Sequence, residues 1–253
     1  MNRAIVGIAC WGWLGLSAAA CAQAMPDPAD AGRAATAGPV VVELYTSQGC
    51  TACPPADALL ADVARRDDVI ALALHVDYWD YLGWGDPFAQ PAFTARQKAY
   101  ARAAAQQSVY TPQMIVAGHD LLEAPRAADL AALIARHAAT GDLVQLSVRR
   151  DGTRLTVEAR AATPLRTGAV VQLVRYLPHV AMTIGQGENA GRSVDMANVV
   201  TSWVAVADWD GRGPLSLTTA IEGAEPAVVI VQEAISGHRA PLPGPILAAA
   251  RVE

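Results

Sequence analysis

Two cysteines, Cys50 and Cys53, stand between a β-branched apolar run and an amphipathic stretch, and this junction constrains the fold more than any other feature. Upstream, PVVVELYT (39–46) is bounded by Gly38-Pro39 and a polar turn, which predicts a buried strand. Downstream, CPPADALLADVARR places Ala56, Leu59, Leu60 and Val63 on one helical face. Pro54 and Pro55 fall in the first turn, where a helix tolerates proline. The chain therefore runs from strand to helix through a Cys-x-x-Cys turn.

The same periodicities extend the pattern. DVIALALHV (68–76) predicts a second buried strand, and DYWDYLGWGDPFAQ (77–90) an ordered insertion or lid with no regular element. A helix is expected from about Pro91 to Gln106, with Phe93 and Tyr100 on one face. SVYTPQMIVAGHDLLEA (108–124) predicts two short antiparallel strands turning at Gly118-His119-Asp120. PRAADLAALIARHAA (125–139) predicts a helix with Leu130, Leu133, Ile134 and His137 on one stripe. Residues 39–140 thus read as an α/β unit of order βαβαββα.

Beyond Gly141 the period changes to two. LVQLSVRRDGTRLTVEAR is a hairpin pattern with Asp151-Gly152 at its turn. Strand-like runs follow at 169–177, 179–184, 199–207, 215–220, 226–233 and 246–252. Short strands at that spacing, with no helical stripe, predict a second, all-β sandwich-like domain over 141–253.

The first residues carry a different signal. Arg3 precedes an apolar stretch from Ala4 to Ala20, and Ala22-Gln23-Ala24 offers small residues at a cleavage site. This predicts a secretory signal peptide over 1–24, followed by a flexible Ala/Pro/Asp/Gly leader over 25–38. A retained membrane anchor, or a lipoprotein attached through Cys21, is a weaker alternative. Cleavage would remove Cys10 and Cys21 and leave Cys50 and Cys53 as the only cysteines. The expected location is periplasmic or secreted, where a disulfide persists. The net charge of −5 offers no basic patch for nucleic acid, and no later stretch is long and uncharged enough to span a membrane.

A Cys-x-x-Cys at a helix N-terminus suits thiol chemistry. Unpaired amides there stabilise a thiolate at Cys50, the candidate nucleophile, and Cys53 lies close enough to resolve a mixed disulfide. Thr111-Pro112 stands immediately before an apolar strand, where proline is unwelcome, and a cis peptide there would bring the backbone beside the cysteines. Glu43, in the first strand, is a candidate proton acceptor beneath Cys53, or else an edge-facing carboxylate. Copper is the rival: Cys50 and Cys53 with His75 and Met114 form a possible soft-ligand set, with His119 a further histidine. A histidine satisfied by backbone or by Asp77 is the plainer reading of His75. Zinc would lack a complete ligand set. A third possibility is a binding module in which the disulfide is a fixed staple. Trp79, Trp84 and their aromatic neighbours would then be packing, and Gly187-Glu188-Asn189 a turn that makes contacts.

VVELYTSQGCTACPPADALL, HVDYWDYLGWGDPFAQPAFTARQKAYA and VYTPQMIVAG resemble a family of secreted bacterial proteins known as domain of unknown function 1223. GQGENAG and the later NVV (198–200) are similar to that family as well. More broadly, the element order and the Cys50/Pro112 pairing resemble the thioredoxin-like fold. The resemblance implies a thiol–disulfide oxidoreductase-like protein acting on exported proteins or small thiols with a redox partner. Its active residues would be Cys50, Cys53, Thr111 and Pro112, and it implies no cofactor; Glu43 stands one residue upstream of the buried acid of thioredoxins. Unlike ordinary thioredoxins, the chain has Gly49 before Cys50 and Thr51-Ala52 between the thiols, with no His or Lys there to acidify Cys50.

Overall fold

Seven elements follow in the predicted order in the computed structural model, which describes residues 38–236 and 241–253. They are β1 (Val40–Thr46), α1 (Pro54–Ala64), β2 (Val69–His75), α2 (Pro91–Ala103), β3 (Gln113–Val116), β4 (Asp120–Glu123) and α3 (Ala127–Thr140). The expected signal peptide (1–24), and the leader as far as residue 37, lie outside the described residues. Among the described residues no helix is long and apolar enough to cross a membrane.

β5 (Val144–Asp151), β6 (Arg154–Ala161), β7 (Ala169–Thr183), β8 (Ser193–Trp209), β9 (Leu215–Ala220), β10 (Ala227–Ile235) and β11 (Leu242–Val252) complete the chain. The two runs expected at 169–177 and 179–184 are one strand, β7. Its pairing with β8 steps from Leu177–Val199 to His179–Ala197, so Pro178 is accommodated within the ladder.

The separate β-sandwich expected over 141–253 does not form. Strands β7, β8, β10 and β11 instead extend the first sheet, giving eight strands in the order β11-β10-β7-β8-β2-β1-β3-β4. The join is a parallel pairing of β2 with β8 at Ala73 and Val199. Asn198, with φ of 50°, reinforces it by donating from Nδ2 to the Ala71 carbonyl at 2.9 Å. The physical reason is the open edge of β2, whose unpaired amides and carbonyls need a partner strand. Only β5, β6 and β9 form a second sheet. Val144, Leu155 and Val157 of that small sheet pack with Val171, Val229, Val231 and Leu247 of the large one. Two β layers therefore exist, but one of them is continuous with the helical half.

Strand alternation divides the core. Val40, Val42 and Leu44 of β1 pack with α1 and α3 through Leu60, Leu130 and Ile134. Val41 and Tyr45 face the other way, with Phe93 and Tyr100 of α2. Glu43 shares this second face and is fully buried. Arg96 of α2 grips its carboxylate with two bonds of 2.7 and 2.9 Å, and the Tyr100 and Tyr45 hydroxyls donate at 2.7 and 2.9 Å. The Arg96 guanidinium also stacks 3.8 Å from the Trp203 ring centroid and donates to Gln232 at 2.9 Å. Burial first, with the Glu43 charge behind it, pushes both tyrosine pKa values up and keeps their hydroxyls as donors. The expectation that Glu43 serves Cys53 is therefore corrected, because its carboxylate lies on the face away from α1 and is already fully engaged.

Removing one partner of this buried pair leaves the other charge uncompensated. Glu43→Ala should cost roughly 3–5 kcal/mol of stability in urea denaturation. It should leave the alkylation rate of the reduced, folded protein unchanged.

Candidate functional site

Cys50 and Cys53 form a disulfide with their Cα atoms 5.4 Å apart. Cys53 is the N-cap of α1, and its carbonyl accepts from the Ala56 and Asp57 amides at 2.8 and 3.0 Å. The sequence placed the pair correctly at the helix start. It did not foresee burial: Cys50 is 2% exposed and Cys53 is 0% exposed.

Three segments enclose the sulfurs. The turn joining β7 to β8 reaches over Cys50, and Asn189 Nδ2 donates to the Gln48 and Cys50 carbonyls at 2.7 and 3.1 Å. Gly187 within that turn has φ of 79°, and a Cβ there would stand 3.1 Å from Trp84 Cβ. Glycine thus satisfies both the turn and the close approach. Trp84, from the 77–90 segment, donates Nε1–H to Gln48 Oε1 at 2.8 Å. Gln48 Nε2 donates onward to Met182 Sδ of β7 at 3.1 Å. Tyr81, on a short 3₁₀ turn of the same segment, is 79% exposed.

Thr111-Pro112 is cis. Tyr45 of β1 pairs with Gln113 of β3, so Pro112, immediately before β3, stands beside the end of β1 from which the cysteine turn departs. Trp79 bridges the two. Its Nε1 donates to Thr111 Oγ1 at 2.8 Å, and its Cβ approaches Gly49 so closely that a Cβ there would lie at 3.1 Å.

Beneath the cover is a small pocket of about 20 Å³, whose wall includes Cys50, Asp57, His75, Asn189, Arg192 and Met196. His75 ends β2 and is 2% exposed. Its Nδ1 lies 2.7 Å from Asp86 Oδ2, not against Asp77. Asp77 instead accepts from Thr94 at 2.5 Å. Asp86 also accepts the Gln48 and Phe88 amides at 2.8 and 3.0 Å. Burial pushes the Asp86 pKa up, but His75 and these two amides outweigh it and hold the carboxyl below its usual range. An ionised Asp86 takes the proton-bearing Nδ1 of His75, and His75 Nε2 is buried without a partner. Asp57, four residues after Cys53 and hence one turn along α1, accepts from Thr46 Oγ1 at 2.8 Å. Burial pushes its pKa up to about 6, with the neighbouring His75 and the Thr46 bond opposing.

Asp57 and Asp86 were missed by sequence reasoning. The i, i+4 spacing from Cys53 could have flagged Asp57. Nothing local marks Asp86. Met114 packs in the core with Val42 and Leu44 and is absent from the cavity wall, whereas Met196 is present. His119 is exposed beside Asp120, in the turn after β3. Among the described residues no three His, Cys, Asp or Glu side chains are grouped to hold a metal.

Together these features define a mixed α/β protein carrying a covered disulfide at a strand-to-helix junction. The chain belongs to the family described as protein of unknown function (DUF1223), whose model matches residues 41–232. It is similar to the crystal structure of protein AGR_C_4864 from Agrobacterium tumefaciens: 30% identity, TM-score 0.72, 86% of this chain and 95% of that one. HBP35 of Porphyromonas gingivalis is similar in fold, with 13% identity, TM-score 0.57 and coverage of 85% and 74%. A search of functionally curated proteins finds no match.

A carboxyl whose folded pKa is raised stabilises the protein below its unfolded pKa and loses that contribution as pH rises through the folded value. For Asp57 that window runs from about 4 to about 6. Asp57→Asn keeps the acceptor for Thr46, so thermal unfolding should show the variant equal to wild type near pH 4. It should be more stable, on the order of 1–3 kcal/mol, above pH 7.

Proposed function

We propose that the protein is an exported thiol–disulfide oxidoreductase built on a thioredoxin-like core, with Cys50 as nucleophile and Cys53 as resolving thiol. The observation that carries the reading is the disulfide at the N-terminal end of α1, where helix amides favour a Cys50 thiolate after reduction. The order β2-β1-β3-β4, with β1 and β2 parallel and β3 antiparallel to β1, supports the thioredoxin-like assignment. So does the cis Thr111-Pro112 bond immediately before β3.

Burial gives this reading a specific form. With the turn between β7 and β8 in place, a cavity of about 20 Å³ admits no thiol substrate. Exchange therefore requires that turn to lift, which breaks the two Asn189 bonds to the Gln48 and Cys50 carbonyls. The same burial favours a second reading, in which the disulfide is a permanent staple. Copper carriage is weaker, since Met114 belongs to the core rather than to the cavity.

Two measurements separate exchange from the staple. Cys53→Ala should trap mixed disulfides with exported proteins, because Cys50 can attack and nothing resolves the adduct. A protein that captures none and keeps its disulfide under mild reductant is stapled. Asn189→Ala removes two bonds worth about 1 kcal/mol each. It should therefore speed reduction by a small dithiol roughly 5- to 30-fold, followed by mass shift after alkylation.

A further inference from the structure

The cavity against Cys50 has polar capacity that the fold itself does not use. His75 Nε2 and Asn189 Oδ1 are both buried without partners, and both residues line it. Its volume of about 20 Å³ exceeds the ~10–15 Å³ that one water needs. His75 and Cys50 both border this same small space. Neither ring nitrogen of His75 is free to be arbitrary: Asp86 takes Nδ1, which leaves Nε2 as the atom available to the cavity.

We propose that His75, oriented by Asp86, is the acid–base partner of the Cys50 sulfur, acting through the space that both residues border. The proposal rests on the exchange reading and supplies what the Thr51-Ala52 dipeptide lacks, a group that acidifies Cys50. Asp57 cannot fill the role as well. Its Oδ1 is held by Thr46, and once ionised it opposes a neighbouring thiolate. Glu43 is on the opposite face. The charged groups around His75 are Asp86 from the 77–90 segment, Asp57 from α1 and Arg192 from the turn between β7 and β8. Only His75 both lines the cavity and presents an unpartnered, buried nitrogen acceptor.

The reaction balances with a disulfide substrate as oxidant. Nε2 takes the Cys50 S–H proton, and the thiolate attacks one substrate sulfur. A Cys50–substrate bond forms, and the expelled thiolate takes the proton back from the imidazolium. Cys53 then attacks the Cys50 sulfur, its own proton passing through Nε2 to the second leaving sulfur. The substrate gains two electrons and two protons, and the Cys50–Cys53 bond is restored. His75 belongs to β2 and Asp86 to the segment beside it, so the acceptor stays in place when the covering turn lifts.

The test uses thiolate absorbance near 240 nm, which does not depend on access to the sulfur. In a chain carrying Cys10→Ser, Cys21→Ser and Cys53→Ser, Cys50 is the sole thiol. With His75 present its titration midpoint should lie at least one unit below the ordinary ~8.5. His75→Gln should raise it by one unit or more, a tenfold or greater loss of thiolate at pH 7. Asp86→Asn should raise it by a smaller amount, and decides the matter if the His75 variant does not fold. Asp57→Asn should lower the midpoint or leave it unchanged. Coincident titrations of the His75 and Asp86 variants with the parent would overturn the proposal while leaving the exchange reading intact. Failure of Cys53→Ala to trap any partner, with the titration shift present, would instead defeat the exchange reading and leave the His75–Cys50 coupling standing.

Discussion

The pairing of β2 with β8 is the constraint on which the rest of the structure depends. It is slender, one bridge at Ala73 and Val199 with the Asn198 side chain bonded to the Ala71 carbonyl. Its consequence is large, because it makes the N-terminal α/β half and the C-terminal strands one sheet. β7 and β8 are 15 and 17 residues long, so their hairpin runs past the join. The far end of that hairpin carries Ile184, Asn189 and Met196 onto the cysteine turn. The cover over Cys50 is thus a direct outcome of where β8 docks and how far it extends.

Under the exchange reading proposed above, a disulfide shielded this thoroughly trades reactivity for selectivity. Helix amides at the start of α1 favour the thiolate, while the covering turn withholds it from solvent. The cover is held by hydrogen bonds at Asn189 and by Gln48, which is clasped between Trp84 and Met182. An element held that way opens at a lower cost than the sheet beneath it, whose core strands are fully buried.

The two faces of β1 carry two polar systems of different character. On the α2 face, the Glu43 carboxylate is saturated, accepting two bonds from Arg96 and one each from Tyr100 and Tyr45. This buried ion pair ties α2 to three strands, β1 through Glu43, β8 through Trp203 and β10 through Gln232. On the α1 side, the cluster around His75 keeps open valences at Nε2 and at Asn189 Oδ1. Unfilled buried polar atoms carry a desolvation penalty, and here they sit beside the Cys50–Cys53 disulfide.

What the sequence determined by itself was local. The apolar runs at Val40–Thr46 and Val69–His75, the prolines opening α1 and α2, and the turn at Gly118 each follow from period and residue chemistry. The position of Cys50 and Cys53 at the head of α1 was legible for the same reason. Only the tertiary structure decided which side of a strand a residue meets, and which edge a distant strand joins. Glu43 shows the first: alternation predicts that it faces opposite to Val42 and Leu44, but not that α1 lies on their side and Arg96 on its own. β7 and β8 show the second, since a period of two is satisfied equally by a separate sandwich and by the open edge of β2. Asp86 stands 11 residues beyond His75 in an irregular segment, and no periodicity relates the two. Their pairing exists because the 77–90 loop folds back on the end of β2, and that geometry is set by packing rather than by spacing along the chain.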